Sequence, residues 1–186
     1  MNTLLWYHPL RWDAAIHCSA KAGSQTLLKA ILTEYNIPDP GFGQRRALVH
    51  HELVATGRVE ATTRPETYNA YQFVRSPKDR FESLWRWGCR DKNQGIPSEL
   101  WLCDPDELLW YISDHLYDNV HWCPQFVATP MATAAMPLES IGEYIPTYEE
   151  IINTTAPGDI PEYDQDFLYQ LYSMDQILWQ ISKENK

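Results

Sequence analysis

Twice in the first half of this 186-residue chain a largely apolar run passes through a few small or polar residues straight into a helical pattern. The first unit is Ala14–Cys18, then the small residues from Ser19 to Ser24, then Leu27, Leu28, Ile31, Leu32 and Tyr35 at helix spacing, ending before Pro38. The second is Tyr71–Val74, then Arg75 and Ser76, then Phe81, Leu84 and Trp85 facing inward with Gly88. Here Ser76 takes the N-cap position, Pro77 sits at N1 and Asp79 stands at N3 as a capping-box acid. Strand–loop–helix units in series predict an α/β fold, a central parallel β-sheet flanked by helices, in a single domain over residues 1–186.

The remaining elements are read more locally. Asn36–Gly43, with two Pro and two Gly, is a turn, and Ala47–Arg58 reads as a short strand leading into a helix. A helix is predicted over Asp106–Asp118 with Leu108, Leu109, Ile112 and Leu116 on one face. A short strand is expected near Ile141–Tyr144. A last helix is expected from Tyr163 to Ser182, its inner stripe made of Phe167, Leu168, Leu171, Tyr172, Ile177 and Leu178.

Charge is unevenly divided. Residues 1–98 carry 13 Lys and Arg against 9 Asp and Glu, whereas residues 99–186 carry 2 against 16, which gives the net charge of −10. Between Lys92 and Lys183 there is no Lys or Arg, so any anion chemistry belongs to the first half. An acidic half of this size argues against nucleic acid as a partner. No run of eighteen apolar residues is present to span a membrane. Trp6, Tyr7, His8, Pro9 and Arg11 interrupt the stretch where a signal peptide needs continuous apolar residues, and the expected location is the cytoplasm. In that compartment Cys18, Cys89, Cys103 and Cys123 are expected as reduced thiols. Cys103, His121 and Cys123 match no familiar zinc spacing, and no metal is expected.

Both loops carry anion-binding chemistry. In Ser19-Ala20-Lys21-Ala22-Gly23-Ser24-Gln25-Thr26, small residues let backbone N–H groups converge at a helix start, and the helix adds its partial positive charge. Lys21 supplies a full charge, and Ser24, Gln25 and Thr26 add donors. The lysine precedes the glycine, unlike the lysine of a Walker A loop. In the second loop Arg75 leaves a strand just before a helix N-cap, where its guanidinium fork suits a phosphate, and Ser83 follows two helical turns beyond Ser76. For Arg80 the plainer reading is a brace to Glu82 or Asp79 on the surface.

Taken together, the two segments resemble the cofactor motifs of the sulfotransferases that use 3′-phosphoadenosine 5′-phosphosulfate (PAPS). The 5′-phosphosulfate loop of that family has the form P-K-x-G-[ST]-[ST]-[ST], against which this chain offers Lys21, Gly23, Ser24 and Thr26, with Ala20 for the proline and Gln25 in the middle hydroxyl position. The 3′-phosphate motif, F-x-R-[DN]-P-x-x-R-x-x-S, is matched by Phe73, Arg75, Pro77, Arg80 and Ser83, with Ser76 in place of Asp or Asn. His121-Trp122-Cys123-Pro124-Gln125 is similar to an H-W-x-P-Q segment of the Golgi-type carbohydrate enzymes. Ile141–Tyr144 and Tyr172-x-x-Asp175 are similar to their later segments. The similarity runs from about Ala15 to Leu178.

The resemblance implies a P-loop-like sulfotransferase fold and in-line transfer of a sulfuryl group from PAPS to a hydroxyl or amine of a small-molecule or carbohydrate acceptor, with PAP as the product. It implies cofactor contacts from Lys21, Ala22, Gly23, Ser24, Gln25, Thr26, Arg75 and Ser83. Lys21 would stabilise charge on the departing phosphate. A neutral imidazole suits the base, which leaves His51 and His50 both open, with His121 after them. His8, His17 and His115 are read as structural. An acidic second half lining the acceptor cleft would favour a neutral or cationic acceptor. The alternatives are a P-loop-like kinase and a non-catalytic nucleotide-binding protein.

Overall fold

The computed structural model describes residues 5–41, 43–65, 69–93, 95–145 and 158–185. It is mixed α/β, with one five-stranded sheet in the order β3-β1-β2-β4-β5. The strands are β1 (Trp6–Pro9), β2 (Ala14–Cys18), β3 (Val59–Thr62), β4 (Asn69–Val74) and β5 (Ala134–Pro137). The centre is parallel as expected: β2 runs beside β4, Cys18 opposite Phe73, and β4 beside β5, Val74 opposite Pro137. The other side departs from the expectation of a parallel sheet. β1 pairs antiparallel with both β2 and β3. Only four residues separate β1 from β2, enough for a hairpin and too few for a parallel crossover.

Side-chain alternation divides the sheet into two buried faces. Tyr7, Ile16, Cys18, Phe73 and Met136 share one face, covered by α1 (Ser24–Glu34) through Leu28 and Ile31. On the opposite face Trp6, Ala15 and Ala70 pack with Ala128 of a 3-10 turn at Gln125–Met131. Val74 and Ala135 on that face meet Leu178 and Trp179 of α7 (Ser173–Glu184). A second core joins α3 (Pro77–Leu84), α4 (Pro105–Asp114) and α6 (Gln165–Leu171) around Phe81, Leu84, Leu108, Ile112, Trp122 and Leu168.

The start of α3 follows the sequence signals. Ser76 Oγ accepts the Asp79 amide at 3.1 Å, and Pro77 is the first helical residue. Three other expectations are corrected. Residues 45–54 are helical throughout, α2 (Arg45–Leu48) running into a π-helical turn Val49–Val54, and the strand comes afterwards as β3. Val49 and Leu53, four residues apart, are both fully buried, which requires a helical repeat. Ile141–Tyr144 is a short helix, α5, and the expected strand lies just before it as β5. The final helix is broken at Tyr172 (φ −110°), whose hydroxyl turns inward to the Trp122 carbonyl at 2.6 Å. Beyond the break the phase shifts, and Ile177 is 52% exposed instead of lying on the inner stripe. Among the described residues no helix is long and apolar enough to cross a membrane.

Candidate functional site

β2 and β4 are adjacent and parallel, so the loops leaving their C-terminal ends emerge side by side, the position where open α/β sheets gather ligands. The first loop is tightly curled. Lys21 (φ 64°) and Gly23 (φ 88°) are left-handed, and the Ala22 amide returns to the Ser19 carbonyl at 3.0 Å. Positive φ at a lysine is strained, a condition that clusters at functional sites. Gly23 is required twice over, by its φ and by a Leu138 methyl 2.5 Å from where a Cβ would stand. The α1 N-terminus has no side-chain cap. The amides of Ser24, Gln25 and Thr26 have no protein acceptor among the described residues, which leaves them free for an anion.

The second loop reaches the first through Arg75, whose Nη1 donates to the Lys21 carbonyl at 3.4 Å. The Arg75 backbone is gripped on both sides by one amide side chain. Its N–H donates to Gln125 Oε1 at 3.0 Å, and its carbonyl accepts from Gln125 Nε2 at 2.8 Å. Arg80 is buried and does not brace Glu82 or Asp79. It donates to the Ala20 carbonyl (3.1 Å) and the Cys123 carbonyl (2.7 Å), and pairs with Asp175. Ser83 lies half-buried on α3.

Lys21 Nζ rests 3.2 Å from the centre of the Trp87 ring, and the His121 ring packs on that same indole at 4.7 Å. Burial, then the Arg75 charge, lowers the Lys21 amine to about 6, while the indole face favours its charged form. Burial, then Lys21 and Arg80, holds His121 down at about 4, and its buried Nδ1 has no hydrogen-bond partner. Arg75 is also pulled below its usual range, chiefly by burial. The Arg75 guanidinium, the uncapped amides and a lysine whose amine is largely neutral at pH 7 meet here, with Asp79, Glu139 and Glu82 acting on Arg75 and Asp91 on Lys21.

The two leading candidate bases are not equivalent. His51 projects into solvent with its side chain 83% exposed and its Nδ1 2.8 Å from Glu52 Oε1. His50, on the same π-helical turn, is half-buried and sits 3.1 Å from the Tyr7 hydroxyl through Nε2. Burial, then Arg46, lowers its pKa, so the ring is neutral near pH 7. Tyr7, Ser19 and Ser24 line a cavity of about 80 Å³ beside the first loop, together with His17, Leu28 and Arg46. Lys21, Arg75, His50, His51 and His121 do not line it. The acidic half supplies only uncharged residues to this cavity, Val120, Cys123 and Pro124, so the condition attached to a cationic acceptor is not met.

Sequence reasoning passed over Tyr7, Arg46 and the grip of Gln125. Tyr7 sits in an aromatic run weighed only as a leader, and nothing in the spacing separates Arg46 from Arg45. Gln125 had a signal in the H-W-x-P-Q segment. Among the described residues no three His, Cys, Asp or Glu side chains gather to hold a metal. No protein-family model, curated protein or solved structure matches this chain.

Proposed function

We propose that this chain is a sulfotransferase of P-loop-like fold that uses PAPS. The observation that carries the reading is the contact between Arg75 and the Lys21 carbonyl, which joins the two anion loops at the ends of neighbouring parallel strands. The residues present fit such a cofactor: the amides of Ser24, Gln25 and Thr26 are unclaimed, and Lys21 and Arg75 repel one another with no carboxylate bound to either. PAPS would supply a sulfuryl group on a phosphosulfate anhydride. The first loop would hold the 5′ end with its amides and Ser24, and Arg75 the 3′-phosphate, with Ser83 on the same helix.

Lys21 would neutralise charge developing on the departing phosphate, provided its ammonium leaves the Trp87 face. His50 is the base the geometry favours over His51. With its ring proton on Nδ1, its Nε2 accepts from the Tyr7 hydroxyl, which faces the cavity. The acceptor proton would pass to Tyr7 Oη as the Tyr7 proton passes to His50 Nε2. PAPS would supply the sulfuryl group, and the deprotonated acceptor oxygen would take it as the bridging S–O electrons leave with PAP.

Thermal-shift titration with PAP and with ATP tests the cofactor. PAP should stabilise the protein, Arg75→Ala should weaken that effect, and labelled PAPS should transfer its sulfur to an acceptor. Stabilisation by ATP alone would favour a kinase and end the sulfotransferase reading. Binding of PAP without transfer to any hydroxyl or amine would favour a non-catalytic nucleotide-binding protein.

A further inference from the structure

The cavity beside the first loop carries a charge that the protein leaves unanswered. Among the described residues that line it, Arg46 is the one charged side chain. The Arg46 side chain makes no hydrogen bond or ion pair to any described residue, whereas Arg45 beside it is clamped by Asp39 through Nε (2.8 Å) and Nη2 (2.7 Å). One arginine of the α2 turn is therefore committed to the fold and the next is turned to the cavity. The other polar groups there are hydroxyls of Tyr7, Ser19 and Ser24 and the buried ring of His17, whose Nδ1 and Nε2 are engaged by the Leu5 carbonyl and Ser19 Oγ. Leu27 and Leu28 supply an apolar wall. A cavity with a greasy wall, a few hydroxyls and one open guanidinium at its rim is complementary to a small apolar body bearing one anionic group.

We infer that this cavity is the acceptor site and that it takes a small hydroxylated carboxylate, the carboxylate on Arg46 and the hydroxyl beside Tyr7. The inference rests on the sulfotransferase reading for the word acceptor. The carboxylate recognition stands on the cavity alone. A single guanidinium balances a monoanion, and its planar fork matches two carboxylate oxygens. Shared orientation follows from the fold: Arg46 comes from α2, while Tyr7, whose hydroxyl bonds His50, comes from β1. Arg46 lies one helical turn before His50 and close enough for its charge to pull the pKa of both Tyr7 and His50 downward, so a ligand whose carboxylate sits on Arg46 has the Tyr7–His50 pair within its own length. Such an acceptor is the opposite of the neutral or cationic one that the acidic half of the chain suggests.

The test compares 4-hydroxybenzoate with 4-methylphenol, two phenols that differ in the carboxylate, by calorimetry on the full chain with and without PAP. The expected result is tighter binding of 4-hydroxybenzoate by about tenfold or more, the scale of one charge-assisted hydrogen-bonded pair. Arg46→Met should erase the preference, and Arg46→Lys should keep part of it, since the charge remains and the fork is lost. Arg46 is exposed, so both variants are expected to fold. Equal affinities for the two phenols, binding of neither, or a preference that survives in Arg46→Met would overturn the inference. With PAP occupying the two anion loops, tighter Arg46-dependent binding of inorganic phosphate than of 4-hydroxybenzoate would overturn the choice of a carboxylate. Failure of PAP to stabilise the protein, alongside an Arg46-dependent carboxylate preference, would instead remove the sulfotransferase reading and leave the carboxylate site standing.

Discussion

Arg80 Nη1 lies 3.6 Å from Asp175 Oδ2, and both side chains are buried at the meeting point of four sequence segments. Asp175, on α7, also accepts the backbone amides of Gln125 (2.8 Å) and Phe126 (2.9 Å). Arg80, on α3, donates to carbonyls at Ala20 in the first loop and Cys123 in the H-W-x-P-Q segment. The pair thereby fixes Gln125, whose side chain fixes the Arg75 backbone. Burial pushes the Asp175 carboxyl above its usual range, against the pull of Arg80 and the two amides. Removing one partner strands the other in a dry site. Asp175→Ala should cost about 3–5 kcal/mol in urea unfolding, whereas a surface change such as Lys78→Ala should stay within about 0.5 kcal/mol. Comparable costs would mean that the pair does not hold the loops.

Gly23 gives a backbone test of the first loop. An alanine there must adopt φ 88° and push aside a Leu138 methyl 2.5 Å from the new Cβ. Gly57 also has positive φ (69°), with nothing within 4 Å of its added Cβ. Gly57→Ala therefore reports the conformational strain alone, about 1–2 kcal/mol. Gly23→Ala should exceed it, because the left-handed cost and the displacement of Leu138 add. Equal melting temperatures for the two variants would show that Leu138 yields freely.

The first-half units were legible because each carries a strand, a loop and a capped or periodic helix within about twenty residues. Ser76, Pro77 and Asp79 state their helix start without tertiary help, and so do Leu27 and Ile31 for α1. The antiparallel β1 was not legible, since Trp6–Pro9 is buried on both faces and shows no alternation. Residues 45–54 and 141–144 were misread because short apolar runs do not distinguish strand from helix; only their packing decides. At the site, motif spacing pointed to Lys21 and Arg75, which the structure brings into contact, and the histidine pair was picked out only by its place between the two motifs. It did not reveal that Arg80 reaches Asp175 across almost a hundred residues, or that adjacent histidines face different environments.

That difference between neighbours separates the two candidate bases. His50→Ala should lower sulfuryl transfer by about 10²–10⁴-fold, the usual contribution of a positioned base. His51→Ala should leave the rate near that of the parent protein, since its ring pairs with Glu52 in solvent. Burial and Arg46 depress the His50 pKa, so more acid is needed to protonate the ring. The acid limb of the pH–rate profile should accordingly lie below 6.5, the ordinary histidine value. A larger loss in His51→Ala than in His50→Ala would reverse the assignment.

His121 should make its own mark on acid stability. Its folded pKa is about 4, below the ordinary 6.5. Between those values the unfolded ring binds a proton that the folded ring refuses, so stability falls as pH drops from about 6.5 toward 4. His121→Gln should flatten this part of a curve of unfolding free energy against pH. An unchanged slope in that window would show that the ring is protonated in the folded chain.

Lys21 provides the most direct test of the proposed nucleotide site, because burial and Arg75 hold its amine at about 6. A bound phosphate would favour the ammonium and raise that value, so PAP binding near pH 7.5 should take up a proton. The sign follows from linkage: the bound state holds more protons, so affinity is greatest at low pH and weakens as pH rises above about 6 toward the raised value. The loss approaches tenfold per pH unit for one proton fully taken up. Calorimetry in two buffers of different ionisation heat measures the uptake, which should approach one proton in the parent protein and vanish in Lys21→Met. Uptake that persists in Lys21→Met would move the protonation to another group. No uptake in either protein would mean that Lys21 keeps its place over Trp87 when the nucleotide binds, and does not reach the departing phosphate.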